Sequence, residues 1–170
     1  MGLIGEMARI RFTEHESFSI YDYIEKPDNG RQSQLRVRKG DNWGLINIFG
    51  QTLIPCVYDG CSCFSQNTIW FRRKDKWALF SISGKQLTSF KFEQISTFHN
   101  QFQVAWVKFK RRYGLINSQG QELTDFKYRA VGAFNNNKGT TWVETDNGYG
   151  SVNVKGEEVL GCNNLTFPIY

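Results

Sequence analysis

The sequence predicts an all-β protein built as an array of about four short antiparallel meanders. Three observations carry this. Four aromatic–small pairs, Trp43-Gly44, Trp77-Ala78, Tyr113-Gly114 and Tyr149-Gly150, recur at spacings of 34, 36 and 36 residues, a period typical of repeat architectures. The twelve residues from each pair onward align without gaps, as WGLINIFGQTLI, WALFSISGKQLT, YGLINSQGQELT and YGSVNVKGEEVL. Runs such as TIWFRR and FQVAWVKF are rich in aromatic and β-branched residues, and none keeps a helical period over a useful length.

Taken in order, residues 1–34 are expected to form an N-terminal cap or degenerate half repeat. SIYDYI at 19–24 reads as the tail of an incomplete unit, because Tyr21-Asp22 echoes Tyr58-Asp59. KPDNGRQSQ then leads into the repeat domain, residues 35–170, so the chain reads as one domain overall. Seven residues before each leading aromatic stand Arg36, Trp70, Trp106 and Trp142, followed by Val37, Phe71, Val107 and Val143. This strand runs to a polar tip (RKDK, KRR, DNG) and returns through the leading aromatic, which is a hairpin. Asn or Ser next opens a tight turn by bonding its own backbone, and Gly50, Gly84, Gly120 or Gly156 closes it with positive φ. A third strand carries Leu53, Leu87, Leu123 and Val159. A fourth element carries Tyr58, Phe92 and Tyr128 and ends at Phe64, Phe98 and Phe134. TFPIY is placed to close the far end.

One such unit cannot bury its own face, so neighbours must stack around a shared core. An open twisted stack is preferred to a closed propeller-like ring, because 34–36 residues is short for a four-stranded blade. The 170-residue chain is long enough to do this without disulfides or metals, and 40% hydrophobic and 15% aromatic content excludes a disordered chain. No apolar run approaches the ~18 residues of a membrane span. The start, MGLIGEMARIRF, lacks a basic-then-apolar leader, so a cytoplasmic location is expected.

Trp43-Gly44-Leu45-Ile46, Gly50 and Tyr58-Asp59 resemble the WG-repeat (KWG-repeat) family of bacterial β-repeat proteins. The Tyr113 unit matches with Tyr for Trp. The second unit has Ala78 for Gly, and the fourth has Ser151 for Leu and loses the tail after Cys162. The resemblance implies a β-strand scaffold with a binding or interaction role. It implies no common catalytic site and supplies no catalytic residues.

The remaining candidate chemistry is thin. Cys61-Ser62-Cys63, with Cys56 nearby, does not match C-x2-C metal spacing. Cys56 and Cys162 align with Phe90 and Phe126, and Cys61 with Ile95 and Val131, so the cysteines read as small core residues, free in a reducing compartment. His15 and His99 lie in no metal or triad spacing, and His99 reads as a solvated loop residue. No serine or cysteine is paired with a base, so no enzyme, cofactor or metal is expected. The Trp-Gly pairs read as repeat packing, with the aromatics as plugs and Gly44, Gly114 and Gly150 allowing close backbone passage. The second row, Trp70, Trp106 and Trp142, reads either as core or as an exposed aromatic row marking an interaction site.

Charge is uneven. The chain carries +5 in all, and residues 41–112 hold ten Lys and Arg against four Asp and Glu. The excess sits at the hairpin tips: Arg72, Arg73, Lys74 and Lys76 in one, Lys108, Lys110, Arg111 and Arg112 in the next, with Arg36 and Arg38 in the first. Stacking would align these tips beside the tryptophans. The expected function is therefore a non-enzymatic protein-binding module of adaptor, inhibitor or immunity type. Its partner would present an acidic surface to Arg36, Arg38, Trp70, Arg72, Arg73, Lys74, Lys76, Trp106, Lys108, Lys110, Arg111 and Arg112. The alternative is a nucleic-acid binder using the same residues, with phosphates on the cations and bases on the aromatics.

Overall fold

The computed structural model of the chain describes residues 18–25 and 33–164. His15, most of the expected KPDNGRQSQ loop and the TFPIY end lie outside them. The described chain forms four antiparallel sheets and no α-helix. The first sheet holds β1 (Tyr23–Ile24), β2 (Gln34–Lys39), β3 (Asn42–Asn47) and β4 (Thr52–Tyr58). The second holds β5 (Gly60–Cys61), β6 (Thr68–Arg73) and β7 (Lys76–Ser81), and the third β8 (Gln94–Ile95), β9 (Val104–Phe109) and β10 (Arg112–Asn117). The fourth holds β11 (Ala130–Val131), β12 (Thr140–Thr145), β13 (Gly148–Asn153) and β14 (Glu158–Asn164). Every sheet thus has a two-residue edge strand followed by a long hairpin.

The sheets and the sequence repeat are out of phase. The element holding Tyr58-Asp59 is expected to end one unit, but it divides. Tyr58 ends β4, whereas Asp59 already belongs to the second sheet, its amide donating to the Arg72 carbonyl at 3.1 Å. Asp22, Glu93 and Arg129 make the same bond to Arg38, Lys108 and Glu144. Each sequence unit therefore closes one sheet and opens the next, and Tyr21-Asp22 enters β1 as Tyr58-Asp59 enters β5.

The predicted turns form as the residues dictate. Asn47 Oδ1 accepts the amides of Phe49 and Gln51, and Asn117 and Asn153 do the same two and four residues on. Gly84 closes its turn at φ +91°, and a Cβ there would stand 2.5 Å from the Leu53 carbonyl oxygen. The turn therefore packs on the preceding unit's third strand, and only glycine fits.

The Trp-Gly glycine is explained by close approach. A Cβ on Gly44 would lie 2.7 Å from the Ile54 oxygen and 2.8 Å from Cys56 Sγ, and Gly150 faces Leu160 and Cys162 similarly. The pairing register shifts at both glycines, which marks a bulge. Where the facing residue is cysteine, a full strand forms (β4, β14). Where it is Phe90 or Phe126, the fourth strand shrinks to the bridges Trp77–Phe92, Phe80–Gln86, Tyr113–Tyr128 and Ile116–Glu122. The larger ring holds the two backbones apart between the bridges.

Three apolar clusters join successive sheets. Leu45, Ile54 and Tyr58 of the first pack on Ile69, Phe71 and Phe80 of the second. Trp70 and Leu79, on the second sheet's other face, pack on Ala105, Val107 and Ile116. Val104, Trp106 and Leu115 pack on Val143 and Val152 of the fourth. No cluster among the described residues joins the fourth sheet to the first, so the arrangement is the open stack. The inner sheets are apolar on both faces, which is why β6 and β9 are continuous apolar runs rather than alternating ones. At the positions of Val104 and Leu115 the fourth sheet carries Thr140 and Ser151, and Ser151 is buried at 1% exposure. Lys91–Glu122 and Lys127–Glu158 ion pairs, 2.5 and 2.7 Å, link neighbouring repeat units at the same repeat position. The Glu158 carboxylate holds the Lys127 ammonium above its usual range.

Candidate functional site

The hairpin tips do line up along one edge. Lys76 of the second tip lies 3.6 Å from Glu93, whose other oxygen accepts the Arg111 amide of the third tip at 3.1 Å. Arg112 of the third tip then pairs with Asp146 of the fourth at 2.8 Å. In the first three sheets the acidic residue that opens the sheet also caps its hairpin turn. Asp22 accepts the amide of Gly40, Asp59 that of Lys74 and Glu93 that of Arg111. Asp59 is held below the usual carboxylate range, first by the Arg72 guanidinium and then by the Lys74 amide.

The turns themselves are strained. Lys74 and Asp75 sit at φ +49° and +60°, and Lys110 and Arg111 at +49° and +65°. Both positive values mark a type I′ turn, where Asn-Gly is favoured. Here three of the four central positions, Lys74, Lys110 and Arg111, carry cations instead, and the fourth carries Asp75.

Not all expected binding residues are available. Arg72, Lys76 and Arg112 are engaged by Asp59, Glu93 and Asp146. Arg36 is corrected outright. Its guanidinium holds Glu25 with two bonds, 2.6 and 2.8 Å, and donates to the Ser62 carbonyl at 3.0 Å, so it is a half-buried strut. Arg38, Arg73, Lys74, Lys108, Lys110 and Arg111 make no ion pair among the described residues. Several lean on aromatic rings: Arg38 on Trp43, Arg73 on Tyr58 and Phe90, and Lys108 on Tyr113. These contacts hold the stems while leaving the charge toward water.

Of the two readings of the second tryptophan row, core is the one found at Trp70 and Trp106, which corrects their expected place on the partner-binding surface. Trp70 and Trp106 are 2% and 8% exposed, because stacked sheets cover both faces of their strands. Each stacks on the phenylalanine 28 residues on: Trp70 on Phe98 at 6.1 Å and Trp106 on Phe134 at 5.9 Å. Among the described residues, Trp70 and Trp106 form no exposed aromatic row beside the tips. The leading aromatics Trp43, Trp77, Tyr113 and Tyr149 are half-buried at the seams, shallower than core plugs.

Two grooves open between the two-residue edge strands. One, of about 790 Å³, lies between β5 and β8 and includes Ser62, Cys63, Trp70 and Phe98 in its wall. The other, of about 780 Å³, lies between β8 and β11 and includes Trp106, Lys108, Tyr113 and Arg129. Ile95, Ser96, Thr97, His99 and Asn136 line both. No carboxylate lines either. Trp106 Nε1 donates to the Gly132 carbonyl at 3.2 Å, whereas Trp70 Nε1 is buried with no partner among the described residues. His99 is not a solvated loop residue: it is half-buried, stacked on Phe102 at 4.7 Å with Nε2 on Asn136, and its buried Nδ1 also lacks a partner.

The cysteines are free. Cys56, Cys61 and Cys162 are half-buried as expected, while Cys63 is exposed, contrary to its reading as a small core residue. Burial pushes the Cys61 thiol up to about 11, against the pull of Arg36, so it stays protonated. No group of three His, Cys, Asp or Glu side chains among the described residues is placed to hold a metal.

Stacked meander sheets with a 34–36-residue period define the class as a β-repeat array. The family described as "WG containing repeat" matches residues 43–77 and 113–149, and over these two segments the chain is similar to WG-repeat proteins. The intervening unit is not matched, yet it keeps the same strands, with Ala78 in place of glycine. A comparison with curated proteins finds no match. Among solved structures, the chain is similar to Kluyveromyces lactis Hsv2 with loop 6CD replaced by a Gly-Ser linker, at 13% identity and TM-score 0.42, covering 75% of this chain and 47% of that one. It is similar to a eukaryotic initiation factor at 14% identity and TM-score 0.46, covering 77% and 40%. It is also similar to the N-terminal domain of Nup159 at 8% identity and TM-score 0.42, covering 84% and 43%. The chain spans less than half the length of each of these three.

Proposed function

We propose that this chain is a non-enzymatic β-repeat module that binds another protein, and that its row of basic hairpin tips meets an acidic surface on that partner. The observation that carries the reading is the placement of Lys74, Lys110 and Arg111 at left-handed φ. Each such non-glycine residue costs about 1 kcal/mol or more. Asn-Gly would relieve that strain, so cations kept there point to a task other than folding. Tips from adjacent sheets lie together, so Arg73, Lys74, Lys110 and Arg111 act as one rigid array. Burial of Trp70 and Trp106 favours a protein over a single-stranded nucleic acid, whose bases need open rings to stack on. The free thiols suit a reducing compartment such as the cytoplasm.

The test is affinity capture from native lysate treated with nuclease. The tagged chain is run beside a variant with Arg73, Lys74, Lys110 and Arg111 replaced by Ser. The expected result is a discrete protein on the unmodified chain, resistant to nuclease and lost from the variant. Equal recovery by the variant, or recovery that vanishes with nuclease, overturns the reading.

A further inference from the structure

The same position in three successive sheets reaches toward the next edge strand, and one of the three is left without an acceptor. Arg36 Nη1 donates to the Ser62 carbonyl and Trp106 Nε1 to the Gly132 carbonyl. Trp70 Nε1 stands between them in the repeat and has no partner among the described residues, although the residue is 2% exposed. A buried donor left unpaired costs about 1–3 kcal/mol. Trp70 lines the groove between β5 and β8, and so does His99, whose buried Nδ1 is also unpartnered.

The groove has the size and continuity for a stretch of chain rather than a single ion. It shares Ile95, Ser96, Thr97, His99 and Asn136 with the neighbouring groove. Each volume falls within the usual range of ligand clefts. Their combined lining contains no Asp or Glu. It does contain Lys108, which has no ion pair among the described residues, and Arg129, shared with Asp146 at 3.7 Å. Lys108 continues the cationic row from Lys110 and Arg111, so the tips and the grooves form one positive surface.

We propose that the two grooves receive an extended acidic segment of the partner protein. One of its carbonyl or carboxylate oxygens accepts the Trp70 indole N–H, and its carboxylates meet Lys108 and Arg129. This rests on the protein-binding reading above and names the element recognised.

The test is an NMR titration of the indole N–H signals of the five tryptophans. The probes are a blocked decapeptide alternating Glu and Val, its Lys–Val counterpart, free glutamate, and a ten-nucleotide DNA strand. The Glu–Val peptide is expected to move the Trp70 signal saturably and more than any other indole. Trp70→Phe, which keeps the ring, and separately Lys108→Gln with Arg129→Gln, are each expected to weaken the peptide about tenfold while the chain stays folded. The charge variant decides the matter if Trp70→Phe does not fold. A silent Trp70 signal, an equal response to the Lys–Val peptide, an equal response to free glutamate, preference for the DNA strand, or unchanged affinity in the folded variants overturns the proposal. A partner captured through the tips while Trp70 stays silent overturns the groove alone and leaves the protein-binding reading standing.

Discussion

Arg36 reaches the carbonyl oxygen of Ser62 through Nη1 at 3.0 Å, the repeat position at which Trp106 donates its indole N–H to Gly132. A guanidinium thus stands in for an indole between the first two sheets, and Glu25 neutralises it. The pair's side chains are only 15% and 22% exposed. Removing one partner of such a pair strands the other. Arg36→Ala is expected to cost about 2–3 kcal/mol in urea unfolding, against less than about 1 kcal/mol for Arg72→Ala at the exposed Asp59 pair. Equal losses would show that Arg36 is no strut.

The two aromatic rows differ in depth, and their truncations should differ accordingly. Trp70→Ala is expected to lose about 3–5 kcal/mol, as for a large core aromatic. Trp43→Ala, at a half-buried seam, should lose about 1–2 kcal/mol. Chemical denaturation of the two variants side by side checks the order.

That difference also shows what the sequence could reveal. The repeat period, the hairpins, the Asn- or Ser-initiated turns and the role of Gly44 follow from residues that recur in register, and all are found. The depth of Trp70 does not follow from alternation, because alternation separates two faces without saying which is covered. The continuous run Thr68–Phe71 was the available signal, since a strand apolar on both sides is buried on both sides. Arg36 misleads for the opposite reason. Its charge suggests a surface, and only its partners Glu25 and Ser62, distant in sequence, reveal the half-buried strut. The turn-capping role of Asp59 was equally hidden, since it acts on the sheet that follows.

Gly44→Ala places a Cβ 2.7 Å from the Ile54 oxygen and is expected to cost about 1–3 kcal/mol. Ala78→Gly, in the unit that already accepts a Cβ, should cost only about 1 kcal/mol through chain entropy. Thermal melts of both variants test this; a harmless Gly44→Ala would contradict the close approach of β3 and β4.

Asp59 gives the stability a defined pH dependence. Its folded-state carboxyl is held below the usual value by Arg72 and the Lys74 amide. Its contribution is therefore fully present above the unfolded value of about 3.9 and is lost as the pH falls through the lowered folded value. Asp59→Asn should flatten the acid limb of the denaturation midpoint between about pH 5 and pH 2. An unchanged acid limb would mean the cap carries no weight.

Lys110→Asn with Arg111→Gly gives the third tip the pair a type I′ turn favours. The double variant is expected to gain about 1 kcal/mol in chemical denaturation. A loss of stability would show that Lys110 and Arg111 are not strained at their left-handed φ.

The same variant bears on the central claim, that cations are held at strained tips in order to bind. The decisive measurement is its affinity for the captured partner protein relative to the unmodified chain. The account predicts that binding weakens about tenfold or more while stability rises. Unchanged or tighter binding by the stabilised variant would contradict it.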